Sequence, residues 1–146
     1  MIFVWVVVAA VVVFGVWVRL APSDPGRWHV MPERVENRDF DGGVMRVVEA
    51  GPEGLARLDA VARGWPRTQA LAGSVEEGMV SYVTRSALWG FPDYTTARQA
   101  GERLEIYARL RFGRGDMGVN RKRVEAWLGK ALSSGSHPRA CATSAR

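Results

Sequence analysis

The residues of this chain with chemistry to offer are two carboxylates, Asp93 and Asp116, and a set of arginines, most of them in one run. That run, Leu104 to Leu132, reads LEIYARLRFGRGDMGVNRKRVEAWLGKAL and joins an alternating stretch to a glycine-rich turn and an amphipathic stretch. Arg111, Arg114, Arg121 and Arg123, with Asp116 and Asn120, suit either of two tasks. Turn amides and guanidinium groups at a helix start hold anions; alternatively Asp116 caps the helix and offsets the arginines internally. Asp93 and Asp116 would serve as an acid–base pair for a hydrolase only if the fold brought them together, and each also has a plain role, as a turn residue and as a helix cap. Ser86 has no histidine that the sequence places beside it. His29 has no second ligand nearby and Cys141 is the only cysteine, so the sequence offers no metal spacing. Neither a cofactor nor a metal is expected, and catalysis is the lesser reading.

The elements that must position these groups are legible from periodicity. Leu104, Ile106, Ala108, Leu110 and Phe112 alternate with Glu105, Tyr107, Arg109 and Arg111, which predicts a strand with one buried and one wet face. Gly113, Gly115 and Gly118 mark a turn with unusual backbone angles. In the helix that follows, Val124, Trp127, Leu128, Ala131 and Leu132 form one apolar stripe, while Lys122, Glu125, Ala126 and Gly129 point away. Asn120 and Arg121 project onto the apolar side at the helix start, where a polar group must find a partner. Arg121, Lys122 and Arg123 crowd the first turn, whose dipole disfavours cations, so something negative must offset them.

At 146 residues the chain has room for one domain. Its 20 Lys and Arg exceed its 15 Asp and Glu, giving a net charge of +5, a balance that suits nucleic acid or anionic lipid. No zinc spacing, RNA-binding signature or Lys-rich arm accompanies it, so nucleic acid is not expected as a partner. Ile2 to Val18 carries no charge and, with Met1 and Leu20, has the length of a bilayer-spanning helix, with Trp5 and Trp17 suited to the interfaces. A cleaved signal peptide is the rival, but no basic stretch precedes the run and no small-x-small site follows it. Residues 1–20 are therefore expected to be a retained single-pass anchor. Arg19, Arg27, Arg34 and Arg38 follow it, which places the domain on the cytoplasmic side by the positive-inside rule, against a periplasmic alternative.

Residues 21–43 read as a linker in which Trp28 and His29 pack, residues 44–132 as the folded domain, and 133–146 as a disordered tail. Within the domain the pattern predicts a strand over Val44 to Glu49 and a helix after Pro52 with Leu55, Leu58, Val61 and Ala62 inward. Strands follow over Thr68–Gly73, Met79–Ser86 and Tyr94–Gln99. The apolar stretch from Ala87 to Asp93 is expected to fold back on the core. The order β-α-β-β-β-β-α implies an α+β fold, a small antiparallel sheet packed against two helices, with either a filled core or a small apolar pocket between the sheet and the last helix.

Arg85-Ser86 ahead of Phe91-Pro92-Asp93, and Arg111-x-Gly113-x-x-Asp116-x-Gly118-x-Asn120-Arg121-x-Arg123, resemble the bacterial and plastid family known as domain of unknown function 1499 (DUF1499). Trp28-His29 resembles its membrane-anchored members. The resemblance implies no particular activity, and it implies an inner-membrane protein of a bacterial cell. The family pattern has serines where this chain has Ala108, Leu110 and Gly115, and an arginine where it has Tyr107, so any chemistry those serines perform is absent here. The set that remains, Arg85, Asp93, Arg111, Asp116, Asn120, Arg121 and Arg123, suits anion binding or a buried network. The expected function is a membrane-tethered binding or accessory module whose partners are anionic lipid headgroups or a membrane protein. The alternatives are an enzyme built on Asp93 and Asp116 and a structural subunit of a membrane complex. A topology reporter fused after Leu132 is expected to give a cytoplasmic signal; an exported signal would reverse the charge argument.

Overall fold

The computed structural model describes residues 1–135. Ser133, the first residue of the expected tail, closes the last helix, and His137 and Cys141 lie outside the described residues. Helix α1 (Ile2–Leu20) has 19 residues, about 28 Å at 1.5 Å per residue, which matches the hydrocarbon thickness of a bilayer. Nearly all of its side chains are exposed, Val18 being the buried exception. Among the described residues it is the one helix with the length and composition of a membrane span, a test that a signal sequence also meets.

The short helix α2 (Pro25–Trp28), capped by Asp24, and strand β1 (Arg38–Phe40) follow. Then come β2 (Gly43–Glu49), α3 (Gly54–Arg63), β3 (Thr68–Ser74), β4 (Met79–Arg85), β5 (Pro92–Ala100), β6 (Arg103–Leu110) and α4 (Val119–Ser133). The strands form one antiparallel sheet in the order β1-β2-β6-β5-β4-β3. Strands β3 to β6 are a meander joined by turns, whereas β2 reaches across the chain to pair with β6, Val44 opposite Ala108. The expected α+β architecture and element order are present, with α2 and β1 added inside the stretch expected to be a linker. Both were too short to leave a periodic signal.

Helices α3 and α4 cover one face of the sheet. Val44, Leu55, Leu58, Val80, Tyr82, Leu104, Ile106, Val124 and Trp127 are buried there. Trp127 fills the space between sheet and helices, edge-on to Tyr82 at 5.6 Å and to Trp65 at 6.2 Å between ring centroids. Between the sheet and α4 the core is thus filled. The Tyr82 hydroxyl donates to Asp59 on α3 at 2.7 Å, which satisfies the one polar atom that ring carries inward.

The other face of the sheet was expected to be wet, and it is not. Trp28 stacks on Tyr94 with centroids 3.9 Å apart and planes 11° from parallel. The Arg109 guanidinium lies over the rings of Trp28 and Tyr107 at 5.2 and 4.4 Å and donates to the Trp28 carbonyl at 2.9 Å. His29 Nδ1 meets the Ser81 hydroxyl at 2.9 Å, and Ser81 meets Thr96 at 2.8 Å. Ser23 bonds the Tyr94 hydroxyl at 2.8 Å, and Arg111 donates to the Pro22 carbonyl at 2.8 Å. The segment after α1 is therefore part of the fold, a layer docked on the sheet. Even Glu105 is buried, held by Arg98 at 2.5 Å.

The stretch Ala87–Phe91 also departs from expectation. It turns away from the core and lies along α1, leaving Leu88 77% and Trp89 41% exposed. Phe14, Trp17, Phe91 and Phe112 form a closed ring of aromatic contacts, 5.9 to 6.4 Å between centroids, that joins α1 to the sheet.

Trp28→Ala removes a buried ring of the size whose loss costs about 3 kcal/mol or more. Guanidinium denaturation should show that loss, Trp28→Phe should recover much of it, and limited proteolysis should open residues 21–34 in the alanine variant alone.

Candidate functional site

The turn before α4 is built around two successive residues in the left-handed region, Met117 (φ 51°) and Gly118 (φ 76°). This turn aims the Asp116 carboxylate back at the helix start, where Oδ1 accepts from the Gly118 amide at 2.9 Å and Oδ2 from the Asn120 amide at 2.8 Å. Partial burial pushes the Asp116 pKa up, but the bonds from Asn120 and Gly118 outweigh it and hold the carboxyl below its ordinary value. Asp116, two residues before the N-cap Gly118, thus closes the start of α4, and it supplies the negative charge that the arginine-rich first turn requires.

Asn120 is fully buried and bridges two charged groups, donating to Asp93 at 3.4 Å and accepting from Arg123. Arg123, itself 7% exposed, lies 3.5 Å from Asp93 and leaves its Nε without a partner among the described residues. Burial raises the Asp93 pKa, the nearby Arg123 opposes that, and Asp116 adds to it. Asp93 and Asp116 are therefore close enough to feel each other, yet the oxygens of Asp116 are taken by helix amides and Asp93 faces Arg123. Asp93, Arg123, Thr84 and Trp65 line a cleft of about 240 Å³ whose outer wall is Arg67 and Arg85.

The other members of the expected set lie elsewhere. Arg121, expected on the apolar side, is exposed and pairs with Asp39 at 3.1 Å; Asp39 also binds Arg46 at 2.7 Å. The buried side of α4 is set by Asn120, Val124, Trp127, Leu128 and Ala131 and includes Arg123, while Arg121 lies at its margin and is exposed. Arg111 is on the opposite face of the sheet, bonded to the Tyr94 hydroxyl at 3.1 Å and lying 5.1 Å over the Phe112 ring, in addition to its Pro22 bond. The fold thus brings Asp93, Asp116, Asn120 and Arg123 together, sets Arg85 at their rim, and separates Arg111 and Arg121 from them.

Beyond that rim lies a larger cleft of about 520 Å³, lined by Arg19, Arg67, Gln69, Arg85, Ser86 and Gly90 among others. Arg85 donates to the Gly90 carbonyl at 3.1 Å, Arg67 to the Arg85 carbonyl at 3.1 Å, and Arg19 to the Leu88 carbonyl at 3.4 Å. Among the described residues, no carboxylate pairs with any of the three. Arg67 holds a left-handed φ of 56°, uncommon for a residue with a side chain. Gly90, at φ 72°, lets α1 approach: a Cβ there would meet the Arg19 Cγ at 3.0 Å. Sequence reasoning missed Arg19 and Arg67 as site residues. They are far apart in the chain and from Arg85, and only the docked segment and the β3–β4 pairing bring them together.

The family model for the protein of unknown function DUF1499 matches residues 30–130. The chain belongs to the DUF1499 family. No curated protein matches it. The DUF1499 match contains the whole sheet, α3, most of α4, Arg67 and Arg85, and it begins just after the docked Trp28-His29 pair, so Arg19 and α1 lie outside it.

The two carboxylates should give opposite pH signatures. Asp116, with its pKa lowered by folding, stabilises the fold above the ordinary carboxylate pKa of about 3.9, and this contribution drains away as pH falls through the folded value. Asp93, with its pKa raised, favours the fold below that pKa and loses the contribution as pH rises through its folded value. In denaturant melts across pH 2 to 7, Asp116→Ala should be less stable than the parent by about 1 kcal/mol at neutral pH, and that deficit should close on acidification. Asp93→Asn should instead gain on the parent as pH rises.

Proposed function

We propose that this DUF1499 protein is a non-catalytic binding module, tethered by α1 as a single-pass anchor, that holds an anionic group at the membrane surface. The observation that carries this reading is the cleft lined by Arg19, Arg67 and Arg85, none of which pairs with a carboxylate among the described residues. Like charges gathered in one concavity repel unless an anion joins them, and guanidinium forks match the oxygens of phosphate and carboxylate groups. Arg19 is in the last turn of α1, where the helix dipole favours a cation and where a spanning helix meets the headgroups.

The pairing of the charges around α4 supports the non-catalytic half of the reading. Asp116 serves the helix, and Asp93 is tied to Asn120 and Arg123. Three arginines of the expected basic turn are likewise engaged, Arg111 with Pro22 and Tyr94, Arg121 with Asp39, and Arg123 with Asp93 and Asn120, while Arg114 is exposed on the turn with no partner among the described residues. The anion-binding role passes to the neighbouring cleft, which Arg85 shares. The positive charges that follow α1 favour the cytoplasmic side for the domain.

Glycerol phosphate titrated into the full chain in nonionic detergent, followed by calorimetry, tests this. Binding should weaken as salt rises, and the Arg67→Gln/Arg85→Gln double variant should lose at least about tenfold in affinity, equivalent to about 1.4 kcal/mol. Arg121→Gln, outside the cleft, should bind as the parent does. Undiminished binding by the double variant would refute the reading.

A further inference from the structure

Beside the cationic cleft, and sharing the β4–β5 loop with it as a wall, runs a second concavity of about 350 Å³. It is lined by Val7, Ala10, Val11 and Phe14 of α1 and by Trp89 and Phe91 of the loop, with no charged side chain among them. The loop divides its residues between the two: Ser86, Ala87 and Gly90 face the arginines, while Trp89 and Phe91 face the apolar groove. We infer that the two concavities together hold one molecule of an anionic phospholipid, its phosphate among Arg19, Arg67 and Arg85 and an acyl chain along α1 under Trp89. The inference rests on the anion-binding reading above and adds the chemical class of the ligand.

Three further observations support it. The groove runs alongside α1 as far as Val7, roughly 20 Å from Leu20 at 1.5 Å per residue, a depth at which a spanning helix is surrounded by hydrocarbon. An acyl chain, unlike water, is a suitable neighbour for Trp89, Leu88 and the exposed valines of that helix.

The two ends of the loop are closed on each other by hydrogen bonds, which lowers the cost of setting that backbone beside hydrocarbon. The Ser86 amide bonds the Phe91 carbonyl at 2.9 Å, the Phe91 amide bonds the Ser86 hydroxyl at 3.0 Å, and the Gly90 amide bonds the Ser86 carbonyl at 3.2 Å. Arg19 and Arg85 take the carbonyls of Leu88 and Gly90. Those two arginines therefore both seal the loop and present charge to the cleft, so the headgroup and acyl parts of the site are set by one structure.

Native mass spectrometry of the full chain, released from nonionic micelles containing equal amounts of phosphatidylglycerol and phosphatidylcholine, tests the inference. A one-to-one complex enriched at least about tenfold in the anionic lipid is expected. Arg67→Gln/Arg85→Gln should erase the preference. Trp89→Ser, at an exposed loop position, and independently Val11→Ser on the helix, should lose retained lipid while glycerol phosphate still binds as in the parent. Equal retention of both lipids, retention indifferent to both groove variants, or an intact mass lacking residues 1–20 would overturn the inference. Glycerol phosphate binding with no lipid retained would overturn this inference alone; absence of both would overturn the anion-binding reading with it.

Discussion

The arrangement of this protein depends on the stack of Trp28 on Tyr94. It fixes the segment after α1 onto a sheet face that would otherwise be wet, and the bonds around it, His29 to Ser81, Arg109 to the Trp28 carbonyl and Arg111 to the Pro22 carbonyl, hold the same segment at both ends. Because that segment is held, the end of α1 has one position relative to the domain. Arg19 then meets Gly90, and Phe14 and Trp17 meet Phe91 and Phe112. The cationic cleft is assembled only in that arrangement, since one of its arginines comes from the helix, one from β4 and one from the turn before β3.

The arginines of the chain divide into two populations by the same logic. Arg123 is buried, and a buried guanidinium needs a counter-charge and hydrogen bonds if it is not to be strongly destabilising. Asp93 and Asn120 supply them, and Asp116 adds its charge from the cap. Arg19, Arg67 and Arg85 are bound to backbone carbonyls, which orient a guanidinium without cancelling its charge. The first population closes a core, and the second leaves net positive charge in a concavity.

Most of the fold was legible in the sequence. Alternation in β6, the apolar stripe of α4 and the inward Leu55, Leu58 and Ala62 of α3 each report a local periodicity. The service of Asp116 to the start of α4 was legible for the same reason, being a local contact, although the N-cap position itself falls to Gly118. Arg121 was misplaced because it lies at the margin of the apolar stripe, near the direction of Leu128, and in the first turn that margin is exposed beside Asp39. The covered second face was not legible, because a strand with one apolar face looks the same whether its polar face meets water or a tryptophan from far upstream. Nor was the cleft, whose arginines are joined by tertiary contacts alone. The Ala87–Phe91 loop read as core material for a related reason: apolar composition shows that a segment avoids water, but not which apolar neighbour it meets.

The docked segment also sets a working distance. Were residues 21–43 a free coil, the domain would roam over roughly 25 Å, by the square-root scaling of flexible linkers. Held by Trp28, the segment has no such slack, and the rim of the sheet stays where α1 ends. A domain held this way does not sample the volume around its first helix; any molecule bound at that rim meets α1 and the sheet together.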